Sequence, residues 1–461
     1  MSLLRKFLTK CTGQELYRLK LLDFRGNEYQ TLHETIRHCH NPKVSDEQIR
    51  QKLNLSKTYF DKINSVLLNK CSAALTSKGT YEEVFALLQS KDLCDILKHE
   101  IKVREKKICK SNQPDEIERF YTVCFQTLRR LPVTEYDDAL TESYMLKYLK
   151  HKSPLTIEDQ IEAYAMLETQ RVFVMAINGQ MKSYEPKFLK KMKQYYAKIA
   201  HRPFHRAHFH YHLAMANYLD YYTTNYPALV AELKSAIHHY EMAKTHIDET
   251  YRIYVITKLA KAYCQGNNFE EAFKIYQEAF DLFGEKIAKH PYHPTMYAVI
   301  AIINGKYQEA EKMMNEHLQH LLQPQHPGTI DFDIYRTYAI LYMNQSKFDL
   351  AAQYLQKAFT FKRSDVSLLG EILLRMVHNA FFVLSGDILT AKAVLARNLK
   401  FLRSKQSDAM VQEYMGFFKI LEQIIRYRCG KKLPGEFHMQ LRPYREGIMK
   451  LYGDLLYKMI D

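Results

Sequence analysis

Leu259-Ala260-Lys261-Ala262-Tyr263-Cys264-Gln265-Gly266-Asn267-Asn268-Phe269-Glu270-Glu271-Ala272 is the stretch on which the fold of this chain turns. A large residue, a small one next to it and an aromatic three further on share one face of a helix; Gly-Asn-Asn then stops that helix, and Phe269 with Ala272 opens another. Crossing helices touch closely only where a side chain is small, so Ala260 against Ala272 leaves the flanks to Tyr263 and Phe269. The stretch predicts an antiparallel helical hairpin.

The same design returns at Tyr297-Ala298 with Gly305-Lys306-Tyr307 and Ala310. It returns again at Tyr338-Ala339 and Tyr342 with Ser346-Lys347-Phe348 and Ala351, and at His378-Asn379 and Phe382 with Gly386-Asp387-Ile388 and Ala391. Aligned on Ala272, Ala310, Ala351 and Ala391, the separations are 38, 41 and 40 residues. The unit resembles the tetratricopeptide repeat. Leu259, Ala260, Tyr263, Ala272, Tyr276 and Ala279 occupy that family's signature places, and Tyr338, Ala339, Tyr342, Ala351, Leu355 and Ala358 nearly do. The other two repeats depart from it, with Met314 and His317, or Leu395 and Asn398, where the family prefers an aromatic and a small residue. The period also exceeds the usual 34, which implies longer helices. The resemblance implies an α-solenoid whose first helices line a concave surface for a peptide or helix, and it implies no chemistry.

Composition agrees with an all-α array. The 15 glycines and 13 prolines of the 461 residues leave few turns. Hydrophobic residues make up 47% of the chain in short groups, with no apolar run of the length a membrane span needs, so no membrane partner is expected. Eight cysteines without a C-x-x-C pair suit a reducing, cytoplasmic setting. The net charge of +15 permits an acidic partner without requiring one, and about half of the excess falls in the first 130 residues.

Three regions are expected: an N-terminal helical domain over 1–113, a solenoid over 114–408 and capping helices over 409–461. Earlier helix pairs are read at 157–177 with 185–200 and at 205–222 with 228–246. Ala409 to Arg428 reads as one further helix, and after the break at 430–435 a last helix near 442–459 is expected to cap the stack. The boundary at 113 rests on Ser111-Asn112-Gln113-Pro114, the best linker composition in the chain.

In the front region Ser45-Asp46-Glu47-Gln48 is a capping box, and Ile49, Leu53, Leu55, Phe60 and Ile63 are spaced as in a helix-turn-helix. Lys57, Thr58, Tyr59, Lys62 and Asn64 would then face outward on a DNA-reading helix. An ordinary helical corner needs the same buried turn residue, so both interpretations stand. His33-Glu34-Thr35-Ile36-Arg37-His38 is not the zinc-protease helix, because the second histidine comes five residues after the first instead of four. His201, His205, His208 and His212 share a helical face, but no carboxylate falls between 201 and 219, so packing is expected there and no metal or cofactor is assigned.

The chain is thus expected to be a non-enzymatic scaffold or adaptor for a protein or peptide. Thr257, Lys261, Gln265, Arg336, Ile340 and Asn344 would line its concave face. Val299, Met376 and Ala380 interrupt the basic and Asn pattern with which the family clamps a C-terminal carboxylate, which disfavours that kind of partner. The alternative is a regulator that binds DNA through its front end and senses a ligand with the repeats.

Overall fold

A computed structural model describes residues 2–20, 22, 26–76, 80–110, 113–178, 180–288, 292–318, 329–360, 368–405, 409–446 and 449–460. Among these, helices are the regular structure throughout and no strand occurs, so the protein is all-α. It divides into two compact units, Met1–Arg202 and Pro203–Asp461. Residue 113 therefore lies inside the first unit, where Pro114 opens the helix Pro114–Leu128 at a position suited to its fixed φ and missing N–H.

The first unit is organised around its own apolar core, from Leu4, Phe7 and Leu8 through Phe60, Phe85 and Phe120 to Tyr144. Its later helices, Asp138–His151, Ile157–Ile177 and Met181–Ile199, also share a buried ionic knot. Arg171 is buried and binds Asp138 with two nitrogens at 2.7 and 3.0 Å, Glu142 at 2.9 Å and Glu168 at 3.0 Å. Glu168 is wholly buried and also accepts from Lys191 at 2.6 Å and from the Tyr184 hydroxyl. Burial works against the charged form of Asp138, but the Arg171 guanidinium outweighs it and holds the carboxyl below its ordinary range. Each buried charge has an opposite charge against it, the condition on which such a group is tolerated in a core.

The second unit repeats the hairpin. His205–Tyr222 pairs with Tyr226–Ala243, and Glu249–Gln265 with Phe269–Phe283. Tyr292–Ile303 pairs with Tyr307–His317, Thr329–Asn344 with Phe348–Phe359, and Leu368–Leu384 with Ile388–Arg403. Ala260, Ala272, Ala310, Ala339, Ala351 and Ala391 are all fully buried, as the close crossings require. In the last repeat Asn379 and Asn398 both stand where the first and third repeats carry an alanine, Ala260 with Ala279 and Ala339 with Ala358. Asn398 donates to the Asn379 side-chain oxygen at 2.6 Å, and Asn379 donates to the Ala391 carbonyl at 3.1 Å, so a buried amide pair does the work of an apolar contact.

The joints explain why the repeats align. Asn267, Gly305, Ser346 and Gly386 each stand five residues before the aligned alanine, and each has positive φ: 65°, 72°, 58° and 83°. In the first three, the following N–H reaches back five residues, from Asn268 to Tyr263, Lys306 to Ala301 and Lys347 to Tyr342, at 2.8, 2.8 and 2.9 Å. This left-handed cap closes a helix and turns the chain in a fixed direction.

Candidate functional site

The first helices Tyr292–Ile303, Thr329–Asn344, Leu368–Leu384 and Ala409–Arg428 pack in sequence, each on the next. Their shared face is where the repeat resemblance places a groove. The chain's own last helix, Lys450–Lys458, packs against it, touching both Tyr292–Ile303 and Leu368–Leu384. Over the expected helix near 442–459 the chain forms a 3-10 turn at Arg442–Arg445 and then this final helix, with the short helix Phe437–Leu441 ahead of them.

The sequence of the last helix suits that position. Leu451, Tyr452, Leu455, Leu456 and Met459 form its apolar stripe, and all are buried. Gly453 packs directly on the Tyr444 carbonyl: a Cβ there would stand 1.8 Å from that oxygen. Lys458 donates to the Asn344 carbonyl at 2.8 Å, and its ammonium lies 5.6 Å from the centre of the Tyr307 ring. Burial pulls the Lys458 ammonium below its ordinary range.

Beside the start of this helix a cavity of about 420 Å³ remains, bounded by Met296, Arg336, Leu373, Tyr414 and Tyr452 among others. Arg336 holds Asp333 at 3.0 Å with one nitrogen, while its Nε and its other terminal nitrogen are buried without a hydrogen-bond partner. A guanidinium left this way can receive a carboxylate or carbonyl oxygen. Tyr292 lines both this cavity and a second of about 270 Å³ that includes Asp220, Tyr254, Thr257, Lys258 and Lys261.

The six expected groove residues divide accordingly. Thr257 and Lys261 line the second cavity, but Lys261 is engaged with Asp220 at 3.5 Å and the Thr257 hydroxyl is turned onto the Ile253 carbonyl. Gln265 is half-buried, with its side-chain oxygen lacking a partner. Arg336 lines the first cavity, whereas Ile340 and Asn344 are buried and offer no open surface. Sequence reasoning missed Lys258, which is buried against Asp220 at 2.9 Å with its ammonium 4.6 Å from the Tyr221 ring centre. It also missed the Tyr452 stripe, because an apolar face on a terminal helix does not say what it covers.

At the front, Asp46–Lys52 and Lys57–Ala74 form the expected corner, with the Ser45 capping box present and Leu55 buried. Lys57, Thr58, Tyr59 and Lys62 are exposed. Asn64 is not: it is buried, and neither of its side-chain polar atoms has a partner, so it cannot contact a base edge. The turn itself, with Asn54 at φ 53° and Leu55 bonding back to Arg50, is the same left-handed cap that joins the repeats, and it recurs at Asp92. The spacing that suggested a helix-turn-helix is thus met by a corner of the kind the chain also uses between its repeats.

A second cluster lies in the first hairpin of the second unit. His205, His208 and His212 are on the helix His205–Tyr222, and His239 comes from Tyr226–Ala243. The ligating atoms of His208, His212 and His239 all lie within 4.8 Å of one another. Burial, then the neighbouring imidazoles, push His239 down to about 3, so the ring is neutral at ordinary pH. His201 precedes the helix and is exposed.

No family model matches the chain, and no curated protein matches its sequence. No helix among the described residues is long and apolar enough to cross a membrane.

Proposed function

We propose that the second unit is a tetratricopeptide-like adaptor whose first-helix face takes an amphipathic helix from a partner protein, in exchange for its own last helix. The observation that carries this is the occupant itself. A helix with Leu451, Tyr452, Leu455, Leu456 and Met459 along one side already buries that stripe there. A competing helix would present large apolar residues at i, i+4 and i+5, with an acidic group placed for the unpaired nitrogens of Arg336. The resident helix lowers the apparent affinity of any such partner by the fraction of time that the face is open.

The test uses the full chain carrying Leu455→Glu and Leu456→Glu, together with a fluorescent synthetic peptide of residues 447–461. The variant is expected to bind the peptide at least about tenfold more tightly than the natural chain, because its face is no longer covered in cis. A variant with natural helical content and an undisturbed melting transition that ignores the peptide would refute the proposal.

A further inference from the structure

We infer that His208, His212 and His239 form a site for a divalent transition-metal ion of borderline softness, typified by Zn²⁺, which ties the helix His205–Tyr222 to Tyr226–Ala243. The placement follows from helix geometry. Residues four apart lie on one face, so His208 and His212 point the same way, and the antiparallel neighbour brings His239 against them. His239 stacks on His208 at 4.5 Å and on His212 at 5.5 Å between ring centres, with planes 9° and 8° apart. Packing alone gives no reason for three imidazoles to converge from two helices, since aliphatic side chains fill such a space without desolvating ring nitrogens.

The surrounding groups choose which nitrogens are offered. Glu232 lies 2.7 Å from Nδ1 of His212. An ionised carboxylate only accepts, so the proton is on Nδ1 and the Nε2 lone pair is left for a metal. This is the arrangement by which an outer carboxylate orients a metal-bound histidine. Nδ1 of His239 lies 3.0 Å from Nδ1 of His205, and the tautomer in which His239 donates this hydrogen bond leaves its Nε2 lone pair to ligate. Zinc–nitrogen bonds of 2.0–2.1 Å in a tetrahedron set the ligand atoms about 3.3 Å apart. From separations of up to 4.8 Å the rings reach this by rotating out of their parallel stack. Three imidazoles and one water complete the coordination, since His212 and His239 are only half-buried and leave the site open on one side.

The full chain, stripped with a chelator and dialysed against Zn²⁺, is expected to retain one tightly held equivalent, and Co²⁺ in its place should give the visible bands of a tetrahedral site. His208→Ala, His212→Ala and His239→Ala should each weaken uptake by about 100-fold or more, and Glu232→Gln by about 10–100-fold. His238→Ala and His246→Ala, which alter exposed histidines on or just after the same helix, should bind as the natural chain does. If an alanine variant fails to fold, Glu232→Gln and the zinc-induced rise in melting temperature of the natural chain carry the test. No equivalent retained by the natural chain, or an equal loss in the His238 and His246 controls, would overturn the assignment.

Discussion

Gly453→Ala is a small change with a diagnostic sign. In a helix with no tertiary contact, alanine in place of glycine stabilises by about 0.5–1 kcal/mol, because glycine gives up more backbone freedom on ordering. In the seated helix the added Cβ would stand 1.8 Å from the Tyr444 oxygen and 2.8 Å from its carbonyl carbon, whereas ordinary contact begins at 3.4 Å. The obstacle is main chain and cannot swing aside, and the Tyr444 ring is itself held against Phe417 at 5.6 Å between centres. Overpacking of this kind costs about 1–3 kcal/mol, which shifts the seated–released equilibrium toward release by roughly 5- to 150-fold. Hydrogen exchange followed by mass spectrometry on the full chain reads that equilibrium directly. Amides within 449–460 should exchange faster by that factor, while those of the Glu249–Gln265 and Phe269–Phe283 hairpin stay as they were. Slower exchange in 449–460 would mean that Gly453 obeys its intrinsic propensity alone, and the seat described for the last helix would be wrong.

Arg171→Ala should destabilise the first unit by about 3–5 kcal/mol in denaturant unfolding, since it strips the buried Glu168 of one of its two cations; a change under about 1 kcal/mol would show that water replaces the guanidinium. The same pairing fixes a pH dependence. Asp138 is held below its ordinary value, so its contribution is fully present above the unfolded pKa and is lost as pH falls through the lower folded one. Acid titration of stability in Arg171→Ala should lack that part of the loss. His378 is pushed down to about 4, first by burial and then by Arg397 and Arg375, and it sits between Phe359 and Phe382. Its stabilisation is present above about pH 6.5 and declines toward pH 4, so His378→Phe should flatten the acid side of the second unit's melting profile; an unchanged profile would assign the decline to other groups. For the front corner, Lys57→Ala with Lys62→Ala should lower DNA affinity no more than Lys106→Ala with Lys107→Ala. A loss confined to the first pair and to selected sequences would favour the DNA-reading alternative.

The all-helical class and the hairpins of the second unit were legible in the sequence because they rest on local rules. Ala260 and Ala272 mark a close crossing wherever they occur in such a pattern, and the left-handed cap at Asn267, Gly305, Ser346 and Gly386 needs only the residues on either side of it. The same locality leaves the front undecided, because the Asn54 corner has the spacing of a DNA-reading turn and also the cap found at Asp92 and at the repeat joints. What only the tertiary structure decided depends on residues far apart in sequence. Lys458 meets Asn344 across 114 positions, His239 meets His208 from another helix, and Arg171 gathers carboxylates from two helices. An apolar stripe, a run of histidines or a charge within a helix states what must be covered, ligated or paired. Which surface or side chain answers it is set by how the helices stack, and a one-dimensional period carries no record of that.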